Sequence, residues 1–215
     1  MPKKQTPIVM DSTEAAVRTI LQRYDCPVPF HAVRTRFLGA IVSPVGRSSP
    51  VETMKGLWGG ALPPVDNPAA VNELLQTLIM GLWNRLTRHQ RASEPFRLLR
   101  LAAPLTIASL ALTRREEIDG FTDGLFGFEE RIELPERGYR ALVELGEIRA
   151  MLAGVHELTN RPVQKGDSED PASLITGVKK LTRIAEHEIN EAVLSSVQAR
   201  GKMSHAVPVT KPTYH

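Results

Sequence analysis

Cysteine is almost missing from this chain of 215 residues, in which Cys26 is the single example. One thiol cannot form a disulfide within the chain, nor can it supply the several thiolates of a cysteine-rich zinc site. A catalytic cysteine needs a neighbouring base to form the thiolate. The Pro27-Val28-Pro29 link separates Cys26 from His31, so the spacing gives no sign of contact. We interpret Cys26 as a structural or surface thiol.

Aromatic residues are also scarce, at 5% of the chain, although 42% hydrophobic and 24% charged residues make an ordinary globular composition. The core must be built mainly from aliphatic side chains, which suit packed helices better than an aromatic-rich sheet. Trp58 and Trp83 each follow a leucine, without the interleaved aromatic series of a base-stacking surface. We interpret both tryptophans as anchors of the core or of a dimer.

The chain lacks an apolar run long enough to cross a bilayer. The most apolar stretch, Leu98 to Leu112, contains Arg100 and Pro104 and is shorter than the ~20 residues that a membrane helix needs. The first residues lead to no apolar segment of the signal-peptide type. The sequence therefore predicts a soluble cytoplasmic protein that does not contact a membrane.

Proline, in contrast, is plentiful, and its positions indicate where helices begin. Proline is tolerated at the first helical position, because the missing N–H would have no partner there. Capping residues precede it in Ser49-Pro50, Asn67-Pro68 and Asp170-Pro171, so we predict helices that begin near these three prolines. Ser49 and Glu52 also fit a capping box. Two further starts are predicted near residues 12 and 135.

Two long segments show the apolar spacing of amphipathic helices. One runs from Pro68 to about Arg91, and the other runs from Pro171 to about Arg200, with Gly201 at the predicted C-cap. Their apolar stripes comprise Val71, Leu74, Leu75, Leu78, Ile79, Leu82 and Leu86 in the first, and Leu174, Val178, Leu181, Ala185, Ile189 and Val193 in the second.

The pattern as a whole predicts an all-α fold. Residues 105–130 and 135–158 indicate two more helices, and no segment shows the sustained alternation of a strand. We expect an irregular bundle of about six to seven helices, with residues 1–200 forming a single compact domain. Residues 201–215 contain two prolines and little apolar material, which predicts a disordered tail.

The small net charge of +3 conceals an uneven distribution. Residues 1–115 carry 15 Lys and Arg against 7 Asp and Glu, whereas residues 116–215 carry 12 against 17. The two parts therefore have formal charges of +8 and −5. Opposed patches can neutralise each other within the fold or can join two copies of the chain.

The best candidate binding residues lie near the end of the first long helix. Arg85, Arg88, His89 and Arg91 form a basic cluster, which can bind an anion, an acidic protein face or the phosphates of a nucleic acid. The alternative is a solvated helix end, where basic side chains complement the negative end of the helix dipole. The nucleic-acid hypothesis extends this region from Arg85 to Arg100.

A second candidate is the run His187-Glu188-Ile189-Asn190-Glu191, which is one residue away from a His-Glu-x-x-His metal motif. Glu191 stands where the second histidine is needed, and two ligands make a weak metal site. We favour a solvated polar ladder of Arg183, His187 and Glu191, and we predict no metal and no cofactor. A metal-dependent hydrolase that uses His187 and Glu191 is the weaker alternative.

Several short motifs follow one another in a recognisable order. They include Phe37-Leu38-Gly39, Leu57-Trp58-Gly59-Gly60, Glu94-Pro95-Phe96 and Gly120-Phe121-Thr122-Asp123-Gly124. In this order and spacing the chain resembles the YecA/YgfB-like family of bacterial helical proteins over roughly residues 30–155. The resemblance implies a helical bundle, often dimeric, in a family whose molecular activity is undefined. Glycine within these helices indicates close backbone packing.

The sequence departs from that family in three respects, one of which is that this chain is basic where some members are acidic. Ile118-Asp119 replaces the aromatic residue that often precedes the second Gly-Phe pair, and Cys26 alone cannot form the cysteine-rich tail of some members. The family resemblance, the absence of a catalytic constellation and the uneven charge together favour a non-enzymatic interaction protein, a small regulator or adaptor that acts as a homodimer. An acidic protein is the favoured partner of the basic cluster, and direct nucleic-acid binding is the alternative.

Overall fold

The computed structural model describes the chain in six ranges, residues 12–44, 49–65, 67–101, 106–127, 129–161 and 171–206. These ranges contain seven helices and no strand, which confirms the predicted all-α bundle. The helices are α1 (Ser12–Arg23), α2 (Phe30–Val42), α3 (Pro50–Lys55), α4 (residues 68–90), α5 (Ile107–Phe126), α6 (Glu136–Asn160) and α7 (Pro171–Ala206).

The predicted helix starts agree with the structure to within two residues. The Asn67 side chain caps α4 by accepting a hydrogen bond from the N–H of Ala70 at 2.9 Å. The predicted capping box at the start of α3 is wrong, because Ser49 makes no side-chain bond to the helix. Glu52 instead accepts a bond from Lys55 at 2.8 Å. Proline at the first position is enough to begin this short helix.

Helix α4 is not a uniform α-helix. It begins as α-helix over Pro68–Leu74, widens to a π-helix over Leu75–Trp83, and ends in a 3-10 turn over Thr87–Gln90. Leu78 and Trp83 are five residues apart and both are buried, as the wider turn allows. Of the predicted apolar stripe, Leu74, Leu78, Leu82 and Leu86 are buried and Val71, Leu75 and Ile79 are partly buried. Trp83 joins the stripe through a spacing that the α-helical pattern does not contain.

Helices α2 and α5 cross at very short range because glycines occupy the contact. A Cβ atom on Gly39 would lie 2.2 Å from the carbonyl oxygen of Phe121, and one on Gly124 would lie 1.9 Å from that of Arg36. Gly120 meets the carbonyl oxygen of Ala32 in the same way, at 2.5 Å. The packing role expected of these glycines is confirmed.

Helix α6 lies between α5 and α7 and runs antiparallel to both. Near its start, Arg137 forms an ion pair with Glu191 of α7. Near its end, the Nδ1 atom of His156 lies 3.0 Å from the carbonyl oxygen of Ala108 in α5. The contacts between α6 and α7 are aliphatic, in keeping with the composition. The fully buried residues include Leu145, Ile148, Leu152, Val178, Ala185 and Ile189.

Helix α7 extends past its predicted end. It continues to Ala206, so Gly201 lies inside the helix and is not its C-cap. The Arg200 side chain donates a hydrogen bond to the carbonyl oxygen of Ile41 at 2.7 Å, which ties this last part to α2. Residues 207–215 of the predicted tail lie outside the described ranges. Within those ranges, none of the helices combines the length and apolarity that a membrane span requires.

Residues 96–99, which have no regular secondary structure, lie against α7, and side chains supply their backbone hydrogen-bond partners. We call residues 96–99 the clamped segment. Asn190 accepts a hydrogen bond from the N–H of Phe96 at 2.7 Å and donates to its carbonyl oxygen at 3.0 Å. Glu186 accepts a hydrogen bond from the N–H of Leu98 at 3.1 Å. These bonds replace the ladder that a neighbouring strand would provide.

Helix α5 holds the other end of this clamped segment. The buried carboxylate of Glu117 accepts a hydrogen bond from the N–H of Leu99 at 2.8 Å, and Arg114 donates to the Leu99 carbonyl oxygen at 2.8 Å. Arg114 and Glu117 also form an ion pair with each other. The two charges therefore replace both backbone partners that Leu99 would have in a sheet.

Candidate basic interaction surface

The structure places the four predicted binding residues at the C-terminal end of α4. Arg85 and Arg88 lie in its last turns, and Arg91 is the residue that follows it. The three arginines are exposed to solvent, whereas His89 is half-buried. The predicted basic cluster thus divides into three surface arginines and one inward-facing histidine.

His89 packs inward and supports the turn after the helix. Its Nδ1 atom lies 2.8 Å from the carbonyl oxygen of Glu94, to which it donates when protonated at that position. Its ring meets the edge of Phe96 with 5.3 Å between ring centroids. Burial lowers the pKa of His89, and the positive charges of Arg88 and Arg34 act in the same direction. His89 therefore remains neutral to lower pH than a solvated histidine.

Arg88 has one acidic neighbour on the surface. Its Nε atom lies 3.6 Å from Glu94, with about half of each side chain exposed. Exposed ion pairs of this kind contribute about 0–1 kcal/mol, since water screens both charges. An incoming carboxylate or phosphate can therefore compete with Glu94 for Arg88.

Two further arginines, Arg18 of α1 and Arg34 of α2, belong to the same surface. The guanidinium of Arg18 lies 4.2 Å from the centre of the Phe30 ring, and that of Arg34 lies 5.1 Å from the Phe96 ring. Arg34 donates to the carbonyl oxygen of Arg97 at 3.2 Å, across the end of the clamped segment. Sequence reasoning missed both residues, because the fold alone brings them to α4.

Charges of both signs surround Arg34, and those of Glu117 and Glu14 act on it more strongly than those of Arg18 and Arg85. Burial lowers the pKa of Arg34, and the nearby charges of Arg18 and Arg85 lower it further. Glu14 and Glu117 oppose this effect. We call Arg18, Arg34, Arg85, Arg88 and Arg91 the basic surface. It is formed by three helices that meet at one edge of the bundle.

The basic surface is suited to binding anions. Guanidinium groups present planar, paired donors that match carboxylate and phosphate oxygens. Arg34 is packed against two phenylalanine rings, so its position is fixed before a ligand arrives. Arg18 donates to the Glu14 carboxylate at 3.1 and 2.8 Å, whereas Arg85, Arg88 and Arg91 are exposed. A fixed arginine beside exposed ones resembles the arrangement of a binding interface.

The alternative metal site does not gain further ligands in the fold. His187 is solvent-exposed, and its Nε2 atom lies 3.9 Å from Glu188. Glu191 is largely buried in its ion pair with Arg137, so the prediction of a solvated ladder is wrong for Glu191. Across the described part of the chain, no group of three or more His, Cys, Asp or Glu side chains is placed to hold a metal.

Cys26 and the tryptophans have structural surroundings. The Sγ atom of Cys26 lies 3.9 Å from the carbonyl oxygen of Leu57, and burial raises the pKa of the thiol. Trp83 packs edge-to-face on Phe37 with 5.4 Å between centroids, which confirms its interpretation as a core anchor. The Nε1 atom of Trp58 donates to the carbonyl oxygen of Tyr24 at 2.8 Å.

The acidic part of the chain neutralises some of the positive charge internally. Glu186 pairs with Arg97 at 3.0 Å, and Glu117 pairs with Arg114. Both pairs join a residue of the basic part to one of the acidic part, as the uneven charge distribution allows.

Comparisons of the chain with protein-family models, with curated proteins and with solved structures gave no match.

Proposed function

We propose that this chain is a non-enzymatic helical interaction module that binds an acidic protein segment through its basic surface. The observation that supports this proposal most strongly is geometric: the guanidinium groups of Arg18 and Arg34, from two separate helices, lie 4.2 and 6.0 Å from the centre of the same Phe30 ring. Burial of a guanidinium beside other cations is unfavourable unless an anion or a structural contact compensates it. A small regulator or adaptor that acts as a homodimer in a bacterial cytoplasm is consistent with the family resemblance.

An acidic protein fits this surface better than a nucleic acid does. Proteins that bind single strands combine a basic groove with aromatic side chains on which bases stack. Around the basic surface, Phe30 and Phe96 are covered by arginine or histidine side chains, and Trp83 is buried. Carboxylates need only the guanidinium donors, which are present.

The proposal is tested with a peptide of alternating Glu and Asp residues, measured by fluorescence anisotropy at low salt. The triple variant Arg85→Glu, Arg88→Glu and Arg91→Glu should weaken binding at least about tenfold, since each reversal removes an attraction and adds a repulsion. The matched control reverses three exposed basic residues elsewhere, Lys179, Arg161 and Lys202. The control has the same change in net charge and should bind within about threefold of the wild type.

Equal losses in the two triple variants would show that only net charge matters and would overturn the proposal. Duplex DNA and single-stranded RNA serve as competing ligands in the same assay. If either binds more tightly than the peptide and loses affinity steeply with salt, the nucleic-acid alternative is correct.

Self-association is tested separately by sedimentation of the full chain at low and high salt. We expect the mass of two chains at micromolar concentration. A mass of one chain in both salts would contradict the homodimer while leaving the basic surface to be judged by its own assay.

A further inference from the structure

An open groove lies between α6 and the first third of α7. Its volume is about 710 Å³, which is within the range of sites that bind small molecules. On α7 the groove extends from Ser173 to Ile184, and eleven residues of helix span about 16 Å. Among the described residues, Met151 and Val155 of α6 form the opposite wall. The groove is therefore elongated along α7.

Helical spacing divides the α7 side of the groove into a floor and a rim. Val178 has no exposed area and lies between the partly buried Leu174 and Leu181, so these three side chains form an apolar floor. The rim follows the spacing i, i+4, i+7 and i+11 along the same helix, and it comprises Ser173, Gly177, Lys180 and Ile184.

Gly177 leaves the middle of the rim open. A Cβ atom added to Gly177 would meet nothing within 4 Å, so no close contact with the described residues requires a glycine there. Glycine within a helix is less favourable than alanine, and it therefore gives α7 no local stability. What it does provide is a path from solvent to the floor at Val178.

The charge of the groove is positive. Lys180 carries the one charge among the described residues that line it, and it lies one turn after the open position at Gly177. Ser173 lies in the first turn of α7, where the helix dipole is positive. The groove is thus complementary to an anionic group that carries an apolar chain.

We propose that this groove binds a fatty acid, with the acyl chain along the floor and the carboxylate at Lys180. A bound helix would place anchors over two turns, whereas Met151 and Val155 offer the α6 wall only one turn of contact. A flexible acyl chain needs only the continuous apolar floor. The groove shares no residue with the basic surface, so this inference is independent of the proposed function.

The first test measures the binding of dodecanoate to the full chain by isothermal titration calorimetry, below the concentration at which dodecanoate forms micelles. Dodecyltrimethylammonium has the same chain with a positive head group and should bind at least about tenfold more weakly. Decanoate has two fewer methylene groups. Since burial of each methylene strengthens binding about fourfold, decanoate should bind at least about fivefold more weakly than dodecanoate.

The second test locates the carboxylate. Lys180→Glu should weaken dodecanoate binding about fivefold, because it replaces an attraction with a repulsion. Lys179→Glu is the matched control, since Lys179 is also exposed but does not line the groove. This control should bind within about twofold of the wild type. Equal losses in the two variants would show that only net charge attracts dodecanoate and would overturn the inference.

The third test blocks the groove without weakening the helix. Gly177→Phe places a ring in the open part of the rim and should weaken dodecanoate binding about tenfold, the effect of displacing two methylene groups. Gly201→Phe is the matched control, because Gly201 is exposed on the same helix and a Cβ atom there also meets nothing within 4 Å. Phenylalanine favours a helix more than glycine does, so both variants should retain their helix content in circular dichroism.

Several results would contradict a fatty-acid site in this groove. Equal affinity for the two head groups, with no effect of Gly177→Phe, would indicate nonspecific contact with apolar surface. Uptake of dodecanoate only from phospholipid vesicles would indicate that the chain binds a membrane surface instead. A changed sedimentation mass of Gly177→Phe, with unchanged dodecanoate binding, would assign the groove to a second copy of the chain.

A final control separates the groove from the basic surface. The triple variant Arg85→Glu, Arg88→Glu and Arg91→Glu should bind dodecanoate as the wild type does. A loss of dodecanoate binding in that variant would show that the basic surface holds the carboxylate, which overturns the groove site. The acidic-peptide assay judges the basic surface, and its failure would leave the groove to be judged by Gly177→Phe.

Discussion

At the scale of single residues, the ion pair between Arg114 and Glu117 is buried beneath the clamped segment. Glu117 has no exposed side-chain area, and Arg114 has 8%. Burial raises the pKa of Glu117, while Arg114 and the N–H of Leu99 act against that rise. Removing one partner of such a pair leaves the other as an uncompensated buried charge.

We predict that Glu117→Ala lowers the free energy of unfolding by about 3 kcal/mol, measured by urea denaturation. The substitution also leaves the N–H of Leu99 without its acceptor, which adds to the loss. Glu52→Ala is the control, because Glu52 pairs with Lys55 on the surface of α3, and its loss should be below about 1 kcal/mol. Equal losses of unfolding free energy in the two variants would show that the buried pair contributes no more than a surface pair.

His89 gives the molecule a pH-dependent contribution to stability. Because burial lowers its pKa below the ordinary value of 6.5, the unfolded chain takes up a proton at this residue before the folded chain does. The contribution is complete above the unfolded pKa and is lost as pH falls through the folded pKa. We predict that unfolding by urea becomes easier between about pH 7 and pH 5, and more steeply in the wild type than in His89→Asn. Parallel pH curves would refute this role.

Only part of the basic surface could be predicted from the sequence. Arg85, Arg88 and Arg91 are close along the chain, so their clustering is visible without a structure. Arg18 and Arg34 reach the same surface only through the packing of α1 and α2 against α4, and local spacing contains no sign of this. The spacing of His187 and Glu191 that resembles a metal motif is also a local pattern. In the fold, Glu191 forms an ion pair with Arg137 instead.

At the scale of elements, glycine has opposite consequences in different helices. We predict that Gly124→Ala destabilises the fold by about 3 kcal/mol or more, because the new Cβ atom would lie 1.9 Å from the Arg36 carbonyl oxygen. Gly201→Ala should instead raise the stability of α7 by up to about 1 kcal/mol, since nothing lies near the new methyl group. Thermal unfolding measures both. A loss in Gly201→Ala would indicate a helix C-cap after all.

The clamped segment depends on α7. We predict that Asn190→Ala costs about 2 kcal/mol, because it removes both side-chain bonds to the backbone of Phe96. Hydrogen exchange at the Phe96 N–H should become at least about tenfold faster, with little change in the core of α5. Ser173→Ala, at an exposed position near the start of the same helix, is the control. Unchanged exchange at Phe96 would contradict the clamp.

Helix starts were predictable because proline and capping residues act within a few positions of one another. The π-helical turns of α4 were not, since their spacing satisfies the burial of Leu78 and Trp83 against other helices. The end of α7 was misjudged for a related reason. Gly201 is a plausible cap in isolation, but the helix is extended by contacts such as that of Arg200 with Ile41.

At the scale of the whole molecule, the helical class followed from composition and periodicity, which act everywhere along the chain. The arrangement of the helices depends on contacts between residues far apart in sequence. Arg97 and Glu186, and His31 and Glu116, join the basic and the acidic parts in this way. The uneven charge predicts association between copies of the chain. Part of the opposite charge, however, is already paired within one copy.

A homodimer makes stability depend on protein concentration. We predict that the midpoint of thermal unfolding rises by about 2 °C for each tenfold increase in concentration, because dissociation accompanies unfolding. A midpoint that is independent of concentration in the wild type would refute the dimer.

The clamped segment also has a consequence for the order in which the chain folds. Asn190 lies 94 residues after Phe96, so its two bonds form only after most of the chain has been collected around them. Residues 96–99 should therefore become protected late, when α7 docks. A protease that cleaves near Phe96 would thus report, by its rate of cutting, how often α7 detaches from an otherwise folded molecule.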